Sequence, residues 1–311
     1  MNIFSSDVFL RTLGEVFFED RRYAPAFYRV DGRVYRLLQV DGAPVTRWPF
    51  VDFFEPVPAF EGRARSLGYL PRVARETVSA EAWLARPRPP GLEPSPFIVW
   101  NRFDRWESFV AHVSARCGNL FPDSRRRRNK LRKALGEVEL RLDDRRPAAL
   151  ELGMKWKSAQ YLASGYEDLF RDARNRRLFV ELQARGLGLV SSLSAGDQII
   201  AVHLGASHGG RLYWWIPSYA PELARFSPGR LLLESLIQAS FERGDEGFDF
   251  LIGDEAYKWH YATHTRVIGD AGSPPASLRV EAEIKLRVKQ ALRGAPWLLA
   301  RWPWLERRVT P

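Results

Sequence analysis

The chain has 311 residues, of which 45% are hydrophobic and 27% charged. These values exclude wholesale disorder and predict one large domain or two of ordinary size. A single cysteine, Cys117, excludes an intrachain disulfide and a cysteine-rich metal site, while a net charge of +10 favours an anionic partner.

Partner and location follow from the same numbers. A phosphorylated cofactor, a nucleotide-sugar, nucleic acid or an acidic membrane face would each fit the positive field, although GC-rich coding accounts for part of the arginine excess. No run of 18 apolar residues predicts a transmembrane helix, and the N-terminus lacks the pattern of a signal peptide. The expected location is therefore the cytoplasm, with the inner face of the membrane as an alternative.

The first half begins with helical periodicity over residues 5–18. Asp31-Gly32 and Asp41-Gly42 then separate aromatic and β-branched runs, which is a strong hairpin signal. They predict a three-stranded meander over residues 27–30, 34–40 and 45–53. Further on, the patterns predict a proline-rich loop over 86–96, a strand over 97–100 and a helix over 105–116.

The second half opens with a basic run over residues 125–133. After it, alternation and helical spacing predict an element order of β, α, α, β, β, β, α, β, α, β. The corresponding segments are 137–142, 150–163, 171–184, 187–193, 198–204, 212–216, 230–242, 248–252, 255–261 and 266–268. Three antiparallel strands followed by a crossover helix and a parallel strand are typical of the GNAT (GCN5-related N-acyltransferase) fold.

The predicted fold class is therefore α/β (α+β), with a mixed, mostly antiparallel sheet flanked by helices. The first half weakly repeats the order of the second, which predicts tandem GNAT-like domains with a degenerate first copy; an unrelated α+β cap is the alternative. The predicted domains are residues 1–121, residues 122–275, and a C-terminal arm over 276–311 rich in Trp and Arg.

Several short stretches carry a family resemblance. They are Tyr213-Trp214-Trp215, Pro217-Ser218-Tyr219, Ser227-Pro228-Gly229, Phe248-Asp249-Phe250 and Gly253-Asp254-Glu255-Ala256-Tyr257-Lys258. Together they resemble the CelD-like branch of the GNAT superfamily, acetyltransferases linked to bacterial cellulose and exopolysaccharide synthesis. The tandem layout is also similar to FemAB-type aminoacyl transferases, but the long coiled-coil insertion usual in those enzymes is missing, which counts against a tRNA-dependent reaction.

A helix start is suited to hold a pyrophosphate, because its free N–H groups and positive dipole end attract anions. Residues 227–231 form such a start here. Gly229 allows close backbone approach, and Arg230 could pair with a phosphate. An ordinary capped helix is the other interpretation. The expected cofactor-binding residues are Ser227, Pro228, Gly229, Arg230, Leu231, Trp214, Trp215 and Ile216.

The resemblance also implies catalytic roles for an acyl-CoA enzyme. Backbone N–H groups of strand 212–216 would polarise the thioester carbonyl, and Tyr257 would protonate the departing thiolate. Asp249 or Asp254 would be the base, with a structural carboxylate as the alternative for Asp249. The expected substrate-binding residues are Lys258, Tyr219 and His203, although a buried structural histidine and a packing aromatic are the simpler interpretations of the last two.

Other motifs carry less weight. Gly205-Ala206-Ser207-His208-Gly209 spells a nucleophile elbow, but it lies between two strands rather than between a strand and a helix. His260 and His264 have metal-like spacing without a third ligand, so no metal is expected. The basic run at 125–133 is a solvated helix start or a phosphate clamp, and nucleic-acid binding is disfavoured because no recognition motif accompanies it.

The leading hypothesis is thus an N-acyltransferase that moves an acyl group, most simply acetyl, from acyl-CoA to an amine such as an amino-sugar in polysaccharide assembly. The alternatives are a FemAB-like transferase and a non-catalytic adaptor. The expected partner is a small-molecule or glycan amine. Three Trp among Arg residues in the C-terminal arm suggest either docking on the body or peripheral membrane contact.

Overall fold

The computed structural model describes residues 2–278, so most of the predicted C-terminal arm lies outside the described residues. The helices are α1 (Asp7–Phe17), α2 (Ala80–Leu84), α3 (Trp106–Arg116), α4 (Leu120–Leu135), α5 (Pro147–Ala163), α6 (Ala173–Ala184), α7 (Pro228–Glu242) and α8 (Ala256–Tyr261). The strands are β1 (Tyr23–Val30), β2 (Arg33–Val40), β3 (Ala43–Pro44), β4 (Arg65–Ser66), β5 (Tyr69–Ser79), β6 (Glu93–Val99), β7 (Val138–Arg141), β8 (Gly188–Ala195), β9 (Gln198–His208), β10 (Arg211–Tyr219), β11 (Gly247–Asp249) and β12 (His264–Gly272).

The strands form two sheets. The small sheet has the order β3-β2-β1-β4, and the large one β5-β12-β6-β11-β10-β9-β8-β7. Among the described strands of the large sheet, β10 and β11 are the only pair that runs in parallel. The predicted mixed, mostly antiparallel sheet flanked by helices is confirmed, and so is the order of the second half from β7 to β12.

The small sheet confirms the two predicted hairpin turns and corrects the third strand. Asp31-Gly32 and Asp41-Gly42 have positive φ at both residues, as a two-residue turn between strands requires. The predicted strand over residues 45–53 is wrong, because β3 pairs with β2 over two residues only. Residues 45–54 then leave this sheet, and their aromatic side chains pack into the core of the second half.

The first half also supplies two strands of the large sheet that its sequence hides. β5 pairs with β12, and β6 lies between β12 and β11. The predicted loop over 86–96 is therefore wrong from Glu93 onward. Pro94 and Pro96 have no N–H group to donate, yet both lie inside the sheet. Their carbonyls accept the N–H groups of Gly253 and Phe250. At those two residues the neighbouring chain has left the sheet, so it requires no N–H group from the prolines in return.

Helices cover both faces of the large sheet. Helices α1, α5 and α6 bury one core together with the aromatic side chains of residues 50–54, whereas α3, α4 and α7 cover the other. The predicted boundary at residue 121 falls inside α4, and strands from both sides of it share one sheet. The first half is thus packed directly on the second. Among the described helices, none has the length and apolarity to cross a membrane.

Candidate active site

A crevice opens where the two parallel strands separate. β10 pairs with β11 from Arg211 to Tyr213 only, and its register with β9 then shifts between Tyr213 and Ile216, which marks a bulge. On the other side, the chain after β11 kinks at Leu251, a non-glycine residue with φ of 60°. The carboxyl ends of the two strands therefore diverge, as at the ligand crevices of open α/β sheets.

This crevice contains a cavity of about 310 Å³, called the crevice cavity below. Its lining comes from both halves of the chain. The residues are Pro49, Phe50, Asp52, Lys157, Tyr161, Leu169, Trp214, Trp215, Ile216, Pro217, Phe250, Leu251, Ile252, Glu255, Tyr257 and Lys258. The volume is at the lower limit of ordinary ligand pockets and suits a small reacting group.

Tyr257 lies in this cavity at the start of α8. Its hydroxyl oxygen accepts a hydrogen bond of 3.1 Å from Nε1 of Trp214. Burial raises the pKa of Tyr257 well above its ordinary value of 10, against the lowering effect of that hydrogen bond. The phenol therefore stays protonated at neutral pH, as a proton donor must be, and its predicted role as the acid is chemically consistent with this position.

Lys258 also lines the cavity, although its side chain is almost fully buried. Its Nζ donates to the carbonyl of Ile252 at 2.8 Å and lies 2.9 Å from Oε2 of Glu255. The ammonium thus joins α8 to the segment that leaves β11. This lysine fixes a positive charge at the crevice, and its predicted contact with substrate remains a prediction.

Asp52 is the main residue that sequence reasoning missed. It comes from the first half, lines the crevice cavity and accepts the N–H of Ile252 on Oδ2 at 3.2 Å. Burial raises its pKa from 3.8 to about 6, with Lys258 acting in the opposite direction. A carboxylate in that range is ionised at pH 7 yet basic enough to accept a proton. The only sequence signal for this residue was a single acidic side chain between two hydrophobic ones, Val51 and Phe53.

Two cavity residues on α5 were missed as well. Burial lowers the pKa of Lys157 and raises that of Tyr161 to about 12. The ammonium of Lys157 lies 5.1 Å from the centre of the Tyr161 ring. One turn apart on α5, the two side chains add polar groups to the lining of the crevice cavity.

Strand β10 places Trp214, Trp215 and Ile216 on the lining of the crevice cavity, whereas His203 lies behind them. His203 is fully buried, stacks on Trp214 at 4.6 Å and accepts the N–H of Trp215 on Nε2 at 3.0 Å. Burial lowers its pKa to about 3, so the ring is neutral. This position corrects the substrate-binding interpretation, because the histidine supports the bulge of β10 from within the core.

The two carboxylates predicted as bases lie outside the cavity. Asp249 is fully buried, with Oδ2 2.8 Å from Nη1 of Arg266, and its Oδ1 accepts the N–H of Leu251 at 2.9 Å. It therefore holds the kink after β11, which fits a structural carboxylate better than a base. Asp254 is paired with Arg88 and accepts Nε1 of Trp259 at 2.8 Å. Neither carboxylate faces the crevice cavity.

The predicted pyrophosphate site lies at the start of α7. Ser227 has φ of 54° and makes no side-chain cap, so the ordinary capped-helix interpretation does not hold. The ring of Tyr219 rests on Gly229, where an added Cβ would be 3.3 Å from Cδ1. Tyr219 therefore packs against this turn rather than lining the crevice cavity. Pro228 and Leu231 are buried in the helix start.

Arginines surround this turn. Arg126, Arg127 and Arg230 all contact the carboxylate of Asp123 and hold its pKa far below the ordinary value. Three guanidinium groups against one carboxylate leave an excess of positive charge beside the helix N-terminus. The donor set suits a phosphate-bearing substrate. Within residues 2–278, no group of three or more His, Cys, Asp or Glu side chains is arranged to hold a metal ion.

Comparisons with known proteins show what the fold and part of the sequence resemble. Among solved structures, the chain is similar to one described as FemX, with 12% identity, a TM-score of 0.49, and 87% of this chain and 96% of that chain covered. It is also similar to a structure described as L-PGS from Bacillus licheniformis, with 12% identity, a TM-score of 0.47, and 93% of this chain and 98% of that chain covered. These likenesses are too distant to carry a functional argument.

The C-terminal domain of a putative lysylphosphatidylglycerol synthetase from Agrobacterium fabrum is similar at 10% identity and a TM-score of 0.47, with 93% of each chain covered. No curated protein matches the chain in sequence. A family model described as an acetyltransferase (GNAT) domain matches residues 122–259, which span β7 to α8 and hence the crevice. This part of the chain is therefore similar to a GNAT-type acetyltransferase domain.

Proposed function

We propose that the protein transfers an acyl group from acyl-CoA to an amine at the crevice cavity. The observation that carries the proposal is the pairing of a neutral phenol, Tyr257, with a carboxylate of raised pKa, Asp52, on the lining of one small cavity between diverging strands. Acid and base groups with pKa values pushed apart are the usual mark of a site that moves protons.

The proposed reaction needs no enzyme nucleophile. The acceptor enters as an ammonium, and the carboxylate of Asp52 takes one proton from it. The amine nitrogen then attacks the thioester carbonyl; a C–N bond forms, the C–S bond breaks, and the sulfur takes a proton from Tyr257. The nitrogen loses its second proton as the amide forms, and this proton restores the phenol. The proton on Asp52 passes to solvent.

The rest of the site supplies position. The bulge of β10 presents the backbone at Trp214 and Trp215 to the crevice, although the N–H of Trp215 is already donated to His203. The turn at Gly229, with its arginines, would hold the pyrophosphate of the donor. An amino-sugar as acceptor, in polysaccharide assembly, rests on the CelD-like resemblance alone and is part of this proposal.

The first test is thermal stabilisation by acetyl-CoA, longer acyl-CoAs and CoA alone. A ligand at 100 times its Kd stabilises the native state by about 2.7 kcal/mol, which corresponds to roughly 5 °C for a chain of this size. Gly229→Asp should abolish the shift by placing a negative charge at the helix start. Gly229→Ala is the matched control, since its Cβ meets Tyr219 at the same 3.3 Å but carries no charge.

Retention of the full shift in Gly229→Asp would contradict the placement of the donor. No shift with any CoA species would sink the acyl-CoA proposal and favour a donor carried by tRNA or a carrier protein, or an adaptor without catalysis.

A further inference from the structure

A second and larger cavity adjoins the crevice cavity. It has a volume of about 510 Å³. Its lining residues are Thr46, Arg47, Trp48, Pro49, Val51, Asp52, Phe54, Pro71, Arg72, Glu93 and Asp270. Pro49 and Asp52 line both cavities, so the two spaces meet at the carboxylate proposed as the base. We call this second space the side cavity.

Arg72 enters the side cavity from an irregular point of β5. It is a non-glycine residue with φ of 53°, at a bulge between β5 and β12. Its carbonyl accepts the N–H of Phe54 at 2.8 Å, and its own N–H donates to Oδ1 of Asp270 at 3.2 Å. The surrounding structure thus holds a strained backbone in place, and such strain commonly accompanies functional side chains.

Charges of both signs line the side cavity: three carboxylates, of Asp52, Glu93 and Asp270, and two guanidinium groups, of Arg47 and Arg72. Oδ2 of Asp270 accepts the hydroxyl of Tyr69 at 2.6 Å, so both carboxylate oxygens already hold the bulge. The guanidinium of Arg72 lies 3.8 Å from Glu93, beyond hydrogen-bond distance, and its side chain is 54% exposed. Arg47 adds a second guanidinium to the lining. An anionic group would find two cations here, and forked guanidinium groups suit carboxylate and phosphate geometry.

We propose that the side cavity is the acceptor subsite and that it takes a small amine bearing an anionic group, with the anion at Arg47 and Arg72 and the amine at Asp52. The inference rests on the proposed function and adds the chemistry of the acceptor. Such a molecule carries charges of both signs, as the lining of the cavity does. Its volume exceeds that of the crevice cavity, as expected if the body of the acceptor lies here and only its amine reaches the crevice.

The test is binding without any donor, so that it does not depend on acyl transfer. Three probes are titrated by calorimetry: glucosamine, glucosamine 6-phosphate and muramic acid. They share an amino-sugar and differ in bearing no anion, a phosphate or a carboxylate, so the better anionic probe also identifies the anion. At least one anionic probe should bind ten times more tightly than glucosamine. Arg72→Gln should remove this advantage, whereas Arg72→Lys should restore part of it.

Two further variants guard the test. Arg72→Gly removes the cation and also relieves the strain of the positive φ, so a loss of binding in this variant cannot be attributed to added backbone strain. Arg11→Gln removes an exposed arginine on α1, outside both cavities, and should leave binding unchanged. Equal binding of all three probes, binding of neither anionic probe, or unchanged binding in Arg72→Gln would each overturn the inference. Failure of the CoA titration would affect the proposed donor only.

Discussion

Two carboxylates lie near the point where β10 and β11 diverge, and they differ in every property that matters for chemistry. Asp249 is closed off from solvent, with Arg266 as an ion-pair partner and the N–H of Leu251 on its other oxygen. Asp52 borders two cavities and accepts a hydrogen bond from the backbone N–H of Ile252. Asp249 stabilises the backbone kink after β11, whereas Asp52 can exchange a proton with a ligand or solvent.

Whether a buried carboxylate has a raised or a lowered pKa depends on the cation beside it and not on burial alone, as a comparison of Glu55 with Asp52 shows. Burial also acts to raise the pKa of Glu55, but Arg266 and other nearby cations such as Arg211 together outweigh it, and the pKa is lowered. At Asp52, Lys258 acts in the same direction as Arg266 but does not overcome burial. The ammonium of Lys258 is already held by the carbonyl of Ile252 and by Glu255. Because Lys258 already interacts with these two groups, it lowers the pKa of Asp52 too little to offset burial, and Asp52 stays basic.

The largest expected effect is on the rate of Asp52→Asn. The amide is nearly isosteric but cannot accept the proton of the acceptor, so the rate of acyl transfer should fall by about 10²–10⁴-fold. Steady-state release of the CoA thiol measures it. The rate of the parent protein should also rise with pH through about 6, and this limb should be missing from the variant.

Asp143→Asn is the control for this experiment, because it makes the same change at an exposed carboxylate outside both cavities and should keep the rate of the parent protein. If Asp52→Asn kept more than a tenth of the activity of the parent protein while remaining folded, Asp52 would not be the base.

The second effect is on stability and belongs to Asp249. Asp249→Asn removes one partner of the buried guanidinium of Arg266, and such a change typically costs 3–5 kcal/mol. Because Glu55 still lies 2.6 Å from Nε of Arg266, we expect a loss of about 3 kcal/mol. Urea unfolding followed by fluorescence measures it. Under the same conditions Asp52→Asn should not destabilise the protein, and an equal loss in both variants would erase the contrast between the two sites.

The sequence predicted the second half better than the first for a physical reason. From β7 to β12 the signals are local, because alternation, helical spacing and turn residues lie within each element. β5 was missed because Pro71 and Arg72 interrupt its alternation, and their bulge depends on Asp270 from a distant strand. β6 was missed because prolines in a sequence usually argue against an inner strand. They are tolerated here because the segment after β11 donates its N–H groups to their carbonyls, which the local sequence does not reveal.

The same distinction applies to the site. Tyr257, Lys258 and the tryptophans of β10 lie within a short stretch of sequence, and the structure places them on the lining of one cavity. Asp52 reaches that cavity through a segment that leaves the small sheet and packs its aromatic neighbours against Trp215 and Phe179. No local pattern encodes such a long-range contact, and the run around Asp52 instead predicted a strand. Asp249, which the short stretch did contain, proved to hold the backbone.

The smallest expected effect is the pH dependence of stability, and it has opposite signs at the two sites. The folded state raises the pKa of Asp52 from 3.8 to about 6 and so binds a proton that the unfolded chain has already lost. This contribution is fully present below about pH 4 and is lost as the pH rises through 6. The carboxylate keeps partial contact with the cavity solvent, so we expect a total of about 1–2 kcal/mol.

At Glu55 the folded state lowers the pKa, so its contribution is present above the ordinary value and is lost as the pH falls. Urea unfolding between pH 4 and pH 7 separates the two. Relative to the parent protein, Asp52→Asn should gain stability as the pH rises, because it lacks the charge that the folded state disfavours. Glu55→Gln should lose stability over the same range. Parallel changes in the two variants would mean that Arg266 and Lys258 act alike, and the case for a basic carboxylate at the crevice would fail.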